Sequence, residues 1–442
     1  MAHGSAETIS GRPTDRLPLR ELFRLSLYWL GLSSIFAGVN TILAGRIEFD
    51  ALVEPAAAGR TLFLLTIGGT IIAMAVQPTI GSISDYTISR WGRRKPYIFI
   101  GSVLDVVFLI GIAVSQPLLA IAAFYALLQF SSNFAQGPFQ GYVPDLVPAP
   151  QVGLASALVG VMQILGNVAG FVIAGFAVAT GQFALGLIAL GLLELVTMLS
   201  VVIRVREGRS PKTRDGRGWA SVAAEAWGTD VLRERSFLFL VGSRLAVLMA
   251  GGVLTNLAIF YLARSLEMDQ EAAGTSFNVM VGLVALGTII TVIPAARLSD
   301  RIGRKKVIYL SCAIGAAGVA LVAIAGGFPL ALVGSVTYGL SAGIFLAVDW
   351  ALMTDIIPKA SSGRYMGLSN VATASAGVLA IAFGGTLMDV VGGGEGPRAA
   401  LWMAVALFGV GAVLLRPVDE RRREDIPAPT GGDPAISPSP VA

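Results

Sequence analysis

Long apolar blocks recur along almost the whole chain and constrain its fold more than any other feature. Of 442 residues, 55% are hydrophobic and only 14% are charged, whereas soluble globular chains carry about 25% charged residues. Each block is near the length of about 20 residues that an α-helix needs to cross a bilayer. The blocks predict an all-α membrane protein with twelve spans, at 25–45, 61–84, 97–115, 118–144, 152–180, 182–203, 237–262, 275–296, 307–326, 328–357, 363–388 and 399–415.

Lysine and arginine are distributed unevenly between the two sides that this even number of spans defines. Twenty-seven of the 32 basic residues lie in the tails and loops on the side of the termini, and four (Arg46, Arg60, Arg264 and Arg398) lie on the opposite side. Basic loops mark the cytoplasmic side of a membrane protein. We therefore expect a multi-pass protein of the cell membrane with both termini in the cytoplasm. The net charge of +4 reflects this topology and contact with membrane lipids, not nucleic-acid binding.

The residue inventory excludes most enzyme chemistry. The chain has one cysteine, Cys312, inside the ninth predicted span, and one histidine, His3, in the N-terminal tail. These two residues cannot supply an intrachain disulfide, a thiolate metal site or a histidine-based triad. We expect no enzyme activity, no cofactor and no bound metal.

An internal duplication divides the chain into two similar halves. The segment IGSISDYTISRWGRRK (80–95) follows the second span and ARLSDRIGRKK (296–306) follows the eighth. A shift of 210 residues also aligns PDLVPAPQVGLAS (144–156) with TDIIPKASSGRYM (354–366). Repeats of this kind enclose a site near the membrane midplane. The expected units are a tail (1–24), a six-helix bundle (25–203), a cytoplasmic linker (204–236), a second bundle (237–415) and a disordered tail (416–442).

The two repeated loops resemble the signature loop of the major facilitator superfamily. The first copy, from Ser84 to Pro96, further resembles that of the sucrose–proton symporters and the neighbouring glycoside–pentoside–hexuronide group. NFAQGPFQGYVPDL (133–146), followed by GNVAG (166–170), resembles the fourth and fifth helices of the same group. The resemblance implies a monomeric secondary transporter for a small-molecule substrate, with the proton as a coupling ion.

Charged residues in the repeated loops are candidates for a cytoplasmic gate. A carboxylate at one helix end can pair with a basic cluster at the next when the protein faces outward, and separate when it faces inward. The candidates are Asp85, Arg93, Arg94, Asp145, Asp300, Arg304 and Asp355. The alternative is that the basic residues only determine topology. The aspartates that recur in both halves favour the gate.

Four amide side chains form a stripe on the fourth predicted helix. Gln129, Asn133, Gln136 and Gln140 fall within one narrow sector at about 100° per residue. Polar side chains inside a membrane face protein or water rather than lipid, and amides suit sugar hydroxyls because they both donate and accept. The resemblance places helices 1, 4, 7 and 10 around a central cavity, so the predicted substrate site consists of these four residues with Asn40, Asn256 and Trp350. The alternative is an amide ladder that joins helix 4 to its neighbours.

The chain departs from the sucrose symporters at two positions on helix 4. The family's proton-accepting aspartate and substrate-coordinating arginine correspond to Gln129 and Gln140 here. Glutamine does not titrate, so any coupling proton needs another acceptor.

Ionisable residues inside the spans are the alternative proton acceptors. Arg244 on helix 7 and Asp349 on helix 10 lie at a similar depth, roughly 11–12 Å from the cytoplasmic helix ends at about 1.5 Å per residue. Asp349 is the predicted proton carrier, and a permanent Arg244–Asp349 ion pair is the alternative. Asp105 and Glu194 lie on helices 3 and 6, which the resemblance makes peripheral. A structural role is expected for both, although Asp105 stays among the ion-coupling candidates.

Three classes of function remain open. A transporter of a sugar or glycoside leads, with an exporter of amphipathic compounds as the alternative within transport. The second class is an assembly factor or sensor that has lost transport, which the glutamines at 129 and 140 favour, because a fold does not fix a function. A polytopic membrane enzyme is the third and lacks a catalytic constellation.

Overall fold

The computed structural model describes residues 16–87, 89–148, 151–205, 207, 235–356 and 362–418. Twelve long helices occupy these residues, and no β-strand occurs among them. They are α1 Leu19–Phe49, α2 Ala58–Asp85, α3 Lys95–Val114, α4 Leu118–Gln140, α5 Val152–Thr180, α6 Phe183–Arg204, α7 Arg235–Asn256, α8 Gln270–Ile302, α9 Arg304–Ile324, α10 Phe328–Ile356, α11 Ser362–Val391 and α12 Glu395–Leu415. Eleven are long and apolar enough to cross a membrane, and Ser375–Val391 of α11 is a shorter apolar stretch.

Proline and glycine set many of the helix ends. Pro117 directly precedes α4 and Pro96 is the second residue of α3, positions at which a missing backbone N–H costs nothing. Gly181 ends α5 and Gly303 separates α8 from α9, both with a positive φ angle that glycine adopts without strain. Asp269 caps α8 by accepting a hydrogen bond from the Ala272 amide at 2.8 Å.

Several predicted helix limits were wrong. Helix α1 runs from 19 to 49 rather than from 25 to 45, and α8 runs from 270 to 302 rather than from 275 to 296. Charged side chains occupy these extra turns, which an apolarity criterion does not count. Helix α4 ends at Gln140 and a separate short helix, Tyr142–Leu146, follows. Helix α7 ends at Asn256, and two short helical segments, Ala258–Phe260 and Tyr261–Ser265, complete the predicted span.

The packing repeats between the two halves of the chain. In the first half α1 packs on α5 and α6, α2 on α4, and α3 on α4 and α6. In the second half α7 packs on α11 and α12, α8 on α10, and α9 on α10 and α12. The same pairs recur after a shift of six helices, so the predicted duplication is present in the fold. The expected linker 204–236 and the C-terminal tail lie almost wholly outside the described residues.

The two halves meet through α2 with α11 and through α5 with α8, and the six-helix shift relates these two contacts. We call the end of the bundle where α1 begins and α12 ends the terminal face, and the opposite end, which includes Glu48 and Pro55, the distal face. Helices α2 and α8 begin at the distal face, and α5 and α11 end there.

Candidate functional site

A hydrogen-bonded chain of polar side chains joins α1 to α4 near the middle of the bundle. The Gln129 amide nitrogen donates to the Tyr125 hydroxyl at 2.8 Å, and that hydroxyl donates to the Asn40 side-chain oxygen at 3.1 Å. Gln129 also lies against α2, because a Cβ placed on Gly69 would be 2.6 Å from its Cγ. The structure therefore brings Asn40 and Gln129 together through a tyrosine that the sequence analysis did not select. The sequence spacing could have identified Tyr125, because it lies four residues before Gln129 on the same helix face.

The other predicted amides occupy different environments along α4. Asn133 is 2% exposed and its amide donates to the Gln129 carbonyl at 2.8 Å, within the helix. Gln136 is half-buried and Gln140 is exposed at the terminal end of α4. Asn256 on α7 likewise donates to its own helix, at the Gly252 carbonyl. The Trp350 side chain lies outside the described residues. Gln129 and Asn40 are thus the members of the predicted set that the described contacts connect to each other.

Arg244 and Asp349 form a buried ion pair between α7 and α10. Their side chains are 5% and 4% exposed, and Arg244 Nη1 lies 2.7 Å from Asp349 Oδ2. Arg244 Nε also donates to the Thr373 hydroxyl of α11 at 3.1 Å. The two residues, which the sequence placed at a similar depth, are therefore in direct contact. Together with Thr373 they connect α7, α10 and α11 of the second half.

Asp105 belongs to a second polar cluster in the first half. It is fully buried and accepts hydrogen bonds from the hydroxyls of Ser131 and Ser132, the latter at 2.8 Å. Glu194, also fully buried, accepts from the Tyr28 hydroxyl at 2.9 Å. This cluster lies among α1, α3, α4 and α6, away from the α7–α10 ion pair.

Part of the predicted cytoplasmic gate forms an ion cluster at the terminal face. Asp145 pairs with Arg93 and with Arg94, the latter at 2.6 Å. Arg94 also donates to the Pro138 carbonyl at 2.8 Å, and its backbone N–H donates to Glu207 at 2.8 Å. Glu207, which the sequence analysis did not select, accepts a hydrogen bond from Tyr142. Burial and the Glu207 carboxylate raise the pKa of Tyr142. All of these residues belong to the first half except Glu207, which lies in the expected linker.

The remaining gate candidates are only partly described. Asp300 is exposed at the end of α8, and Arg304 is the first residue of α9. The side chains of Asp85 and Asp355 lie outside the described residues. Lys305, in the second copy of the repeated loop, donates to the Arg416 and Val418 carbonyls at 2.7 and 2.8 Å. Both copies of the loop therefore contact carbonyls near a helix C-terminus, where cations are favoured.

The distal face carries a cross-half contact that the sequence analysis missed. Arg264 Nε donates to Glu48 Oε1 and Oε2 at 2.9 and 3.0 Å, and Arg264 lies over the Phe260 ring at 5.1 Å. Asp389 of α11 accepts hydrogen bonds from the Gly59 and Arg60 amides at 3.0 and 2.7 Å. These amides lie in the first turn of α2 and have no partner within that helix, so an anion is favoured there. We call the Glu48–Arg264 pair and the Asp389 contacts the distal latch.

Backbone contacts accompany the distal latch. A Cβ placed on Gly59 would lie 2.3 Å from the Gly385 carbonyl oxygen, and one placed on Gly274 would lie 2.2 Å from the Ala179 nitrogen. Glycine permits this close approach because it has no Cβ. Gln270 also donates to the Val178 carbonyl at 3.0 Å. The halves are therefore closed against each other at the distal face.

These features agree with a family match over most of the chain. A model of the Major Facilitator Superfamily matches residues 55–270 and 245–439, so the chain belongs to the Major Facilitator Superfamily. It is a multi-pass membrane protein of a superfamily of transporters and not of enzymes.

Curated relatives match over short segments. A sucrose transport protein of Oryza sativa subsp. japonica is 30% identical over 125 residues, which cover 23% of each chain. The minor myo-inositol transporter of Bacillus subtilis is 32% identical over 99 residues, which cover 22% of each chain. The matched segments span less than a quarter of these relatives.

Solved structures match over nearly the whole fold. A bacterial homologue of the human lysosomal transporter Spinster, inward-facing and unoccupied, has a TM-score of 0.70 at 15% identity, over 91% of this chain and 97% of the other. A D-xylose–proton symporter has a TM-score of 0.65 at 15% identity, over 90% and 97%. Identities this low establish the fold alone.

Proposed function

We propose that the protein is a secondary transporter that moves a small polar solute, a sugar or glycoside, across the cytoplasmic membrane by alternating access. The observation that carries this proposal is the uncharged chain Asn40–Tyr125–Gln129 between α1 and α4. Its amides and hydroxyl both donate and accept hydrogen bonds, as sugar hydroxyls do. The short matches to sucrose and inositol transporters support the same solute class.

The distal latch supports alternating access. The basic loops put the terminal face in the cytoplasm, so the distal face is the outer one. The Glu48–Arg264 pair and the Asp389 contacts then close the protein toward the outside. Within this proposal, Asp145 with Arg93 and Arg94 forms a charged cluster on the cytoplasmic side. These pairs are intact while the distal face is closed, so the separation expected of a gate in the inward-facing state is not seen at this cluster, and a gating role requires it to rearrange at another point of the cycle.

The Arg244–Asp349 pair is the proposed coupling element of the second half. A carboxylate that contacts arginine in one conformation and loses it in the other exchanges a proton during the cycle. Asp349 has this partner in the present state, at 2.7 Å. Proton exchange further requires that Asp349 and Arg244 separate in the outward-open state.

The decisive experiment is uptake into proteoliposomes. We expect a radiolabelled panel of disaccharides, glycosides and polyols to contain a solute that accumulates when a pH gradient, but not a sodium gradient, is imposed. Protein-free liposomes and the Gln129→Leu variant serve as controls. Absence of accumulation, exchange and ligand-induced thermal stabilisation across the whole panel would contradict the proposal and favour a facilitator fold without transport.

A further inference from the structure

The Asp105–Glu194 cluster places two acidic side chains together in the interior of the first half. Both residues are fully buried, on α3 and α6. Asp105 accepts from two serines of α4, and Glu194 accepts from Tyr28 of α1, whose hydroxyl also shares a hydrogen bond with Ser102 at 2.7 Å. Four helices therefore contribute hydrogen-bonding groups to one carboxyl pair.

The charges of this cluster do not balance without a proton. Tyr28, which donates to Glu194 Oε1, also shares a hydrogen bond with Ser102, one helical turn from Asp105 on α3, and Glu194 Oε2 is buried without a hydrogen-bond partner among the described groups. Ionised carboxylates are acceptors only and repel each other, so two of them buried in one hydroxyl network are relieved when one binds a proton, which also adds a donor to the network. The other groups in contact are Tyr28 of α1, Ser102 of α3, and Ser131 and Ser132 of α4. No arginine, lysine or histidine acts on either carboxyl within the described part of the chain.

We propose that Asp105 and Glu194 together form a proton-binding site that holds one proton in this state of the protein. Like carboxyl groups that share a site do not both ionise. Glu194 Oε2 is the atom that such a proton would satisfy. The site is distinct from Asp349, which already contacts a cation in the same state.

The site is placed to respond to the helices that carry the proposed substrate groups. Ser131 and Ser132 lie between Gln129 and Asn133 on α4. On α1, a Cβ at Gly31 would lie 2.7 Å from the Glu194 Cα, so the two backbones are in contact there. A shift of α1 or α4 against α3 and α6 therefore changes the donors that reach the carboxyls, and with them the affinity for the proton. This coupling rests on the proposed transport function, whereas binding of the proton does not.

Infrared difference spectroscopy of the full-length protein tests the binding site. Between acidic and alkaline buffer, we expect a carbonyl band of a protonated carboxylic acid that shifts in D₂O. Asp105→Asn and Glu194→Gln should each remove this band, and Asp349→Asn should leave it in place. A wild-type spectrum without such a band, or a band that survives both substitutions, would overturn the site.

A milder variant protects the test against misfolding. Ser132→Ala removes one donor to Asp105 and leaves the carboxyl pair intact. A hydrogen bond to a carboxylate favours its ionised form, so its loss should move the pH at which the band disappears upward by about one unit. The matched control is Ser335→Ala, a fully buried serine of α10 that donates to its own helix. An equal shift in both variants, or no shift in Ser132→Ala, would contradict the assignment.

Transport assays separate the site from its coupling. In a solute-transporting preparation, Glu194→Gln should abolish the dependence of uptake on a pH gradient while solute exchange persists. Retained proton-driven accumulation would overturn the coupling and leave the proton site standing. If no solute is transported at all, the proposed function fails, and the infrared band still decides the site.

Discussion

Arg264 and Glu48 join the two halves of the bundle at the distal face through a guanidinium that contacts both carboxylate oxygens. Their side chains are 12% and 14% exposed, so the pair is largely shielded from solvent. Arg264 additionally lies against the Phe260 ring and donates to the Pro55 carbonyl. A single arginine thus connects the segment after α7 to the end of α1 and to the connection that precedes α2.

Glu48→Gln should open the distal face. Removal of one partner of a buried pair costs about 3–5 kcal/mol, and the partial exposure here lowers the expected effect to about 2 kcal/mol. That energy corresponds to an increase of about 30-fold in the outward-open population. The measurement is labelling of Asn256→Cys by a membrane-impermeant maleimide added from outside, in a Cys312→Ser background.

The matched control for this variant is Glu21→Gln. Glu21 pairs with Arg24 within the first turns of α1, where both side chains are about one-third exposed. This substitution also removes one carboxylate from an ion pair, but the pair does not cross between the halves. Equal labelling rates in the two variants would show that the distal latch does not hold the outer side closed.

Asp145→Asn should loosen the terminal-face cluster. Two arginines lose their carboxylate partner, and Asp145 is 26% exposed, so we expect a loss of about 1–3 kcal/mol in stability. A gating role predicts in addition a slower transport rate and greater accessibility from the cytoplasmic side. An unchanged transport rate and unchanged accessibility in this variant would show that the cluster has only a topological and structural role.

Tyr125→Phe should weaken solute binding. The substitution removes the hydroxyl that links Asn40 to Gln129 and frees both amides from their present geometry. Loss of one or two hydrogen bonds to a solute corresponds to an increase of about 10-fold in Kd. Isothermal calorimetry or ligand-induced thermal shift measures the change. Thr337→Val, at a half-buried α10 position whose hydroxyl donates to its own helix, should leave Kd as it is.

Asp349→Asn should abolish proton-driven accumulation and preserve solute exchange. The variant leaves Arg244 buried without its carboxylate, which costs stability, so Arg244→Gln/Asp349→Asn provides a neutral companion. A permanent ion pair predicts a different outcome, in which the neutral double variant still concentrates solute under a pH gradient. The ratio of accumulation to exchange, measured in the same vesicles, distinguishes the two.

Cysteine accessibility tests the topology. The uneven distribution of basic residues predicts that Ser210 lies in the cytoplasm and that Ala56, an exposed residue at the distal face, lies outside. In a Cys312→Ser background, Ala56→Cys should react with an impermeant reagent in intact cells, and Ser210→Cys should react only after permeabilisation. The reverse pattern would invert the predicted orientation.

The architecture was accessible from the sequence because apolar length and repetition define it. The twelve helices and the duplication follow from these two properties, whereas the ends of α1 and α8 do not, because their outermost turns carry charged residues. Proximity was predicted for Arg244 and Asp349, since two rare intramembrane charges of opposite sign have few alternatives. The Glu48–Arg264 pair was not predicted, because Glu48 at the end of α1 and Arg264 in the short helical segment after α7 are 216 positions apart and no sequence pattern relates them.

The Asp105–Glu194 cluster shows a different limit. Each carboxyl was recognised as an intramembrane charge and Asp105 stayed among the ion-coupling candidates, but assignment to peripheral helices gave both an expected structural role. Whether the two carboxyls face the same network depends on how α3 and α6 rotate about their own axes. That rotation is determined by packing, including the approach of α1 at Gly31, and a single sequence does not report it.

The distal latch also limits how strongly one conformation can be preferred. Under alternating access, every turnover breaks the Glu48–Arg264 pair and the hydrogen bonds at Asp389, then forms them again. A net preference of about 5.5 kcal/mol for the latched state would leave roughly one molecule in ten thousand open to the outside. The contacts that close the cytoplasmic side must therefore stabilise the outward-open state by nearly the same free energy. A stronger distal latch would slow the opening of the outer side, and loss of the latch would leave that side open. Turnover therefore depends on similar free energies for closing the two sides rather than on the strength of either interface.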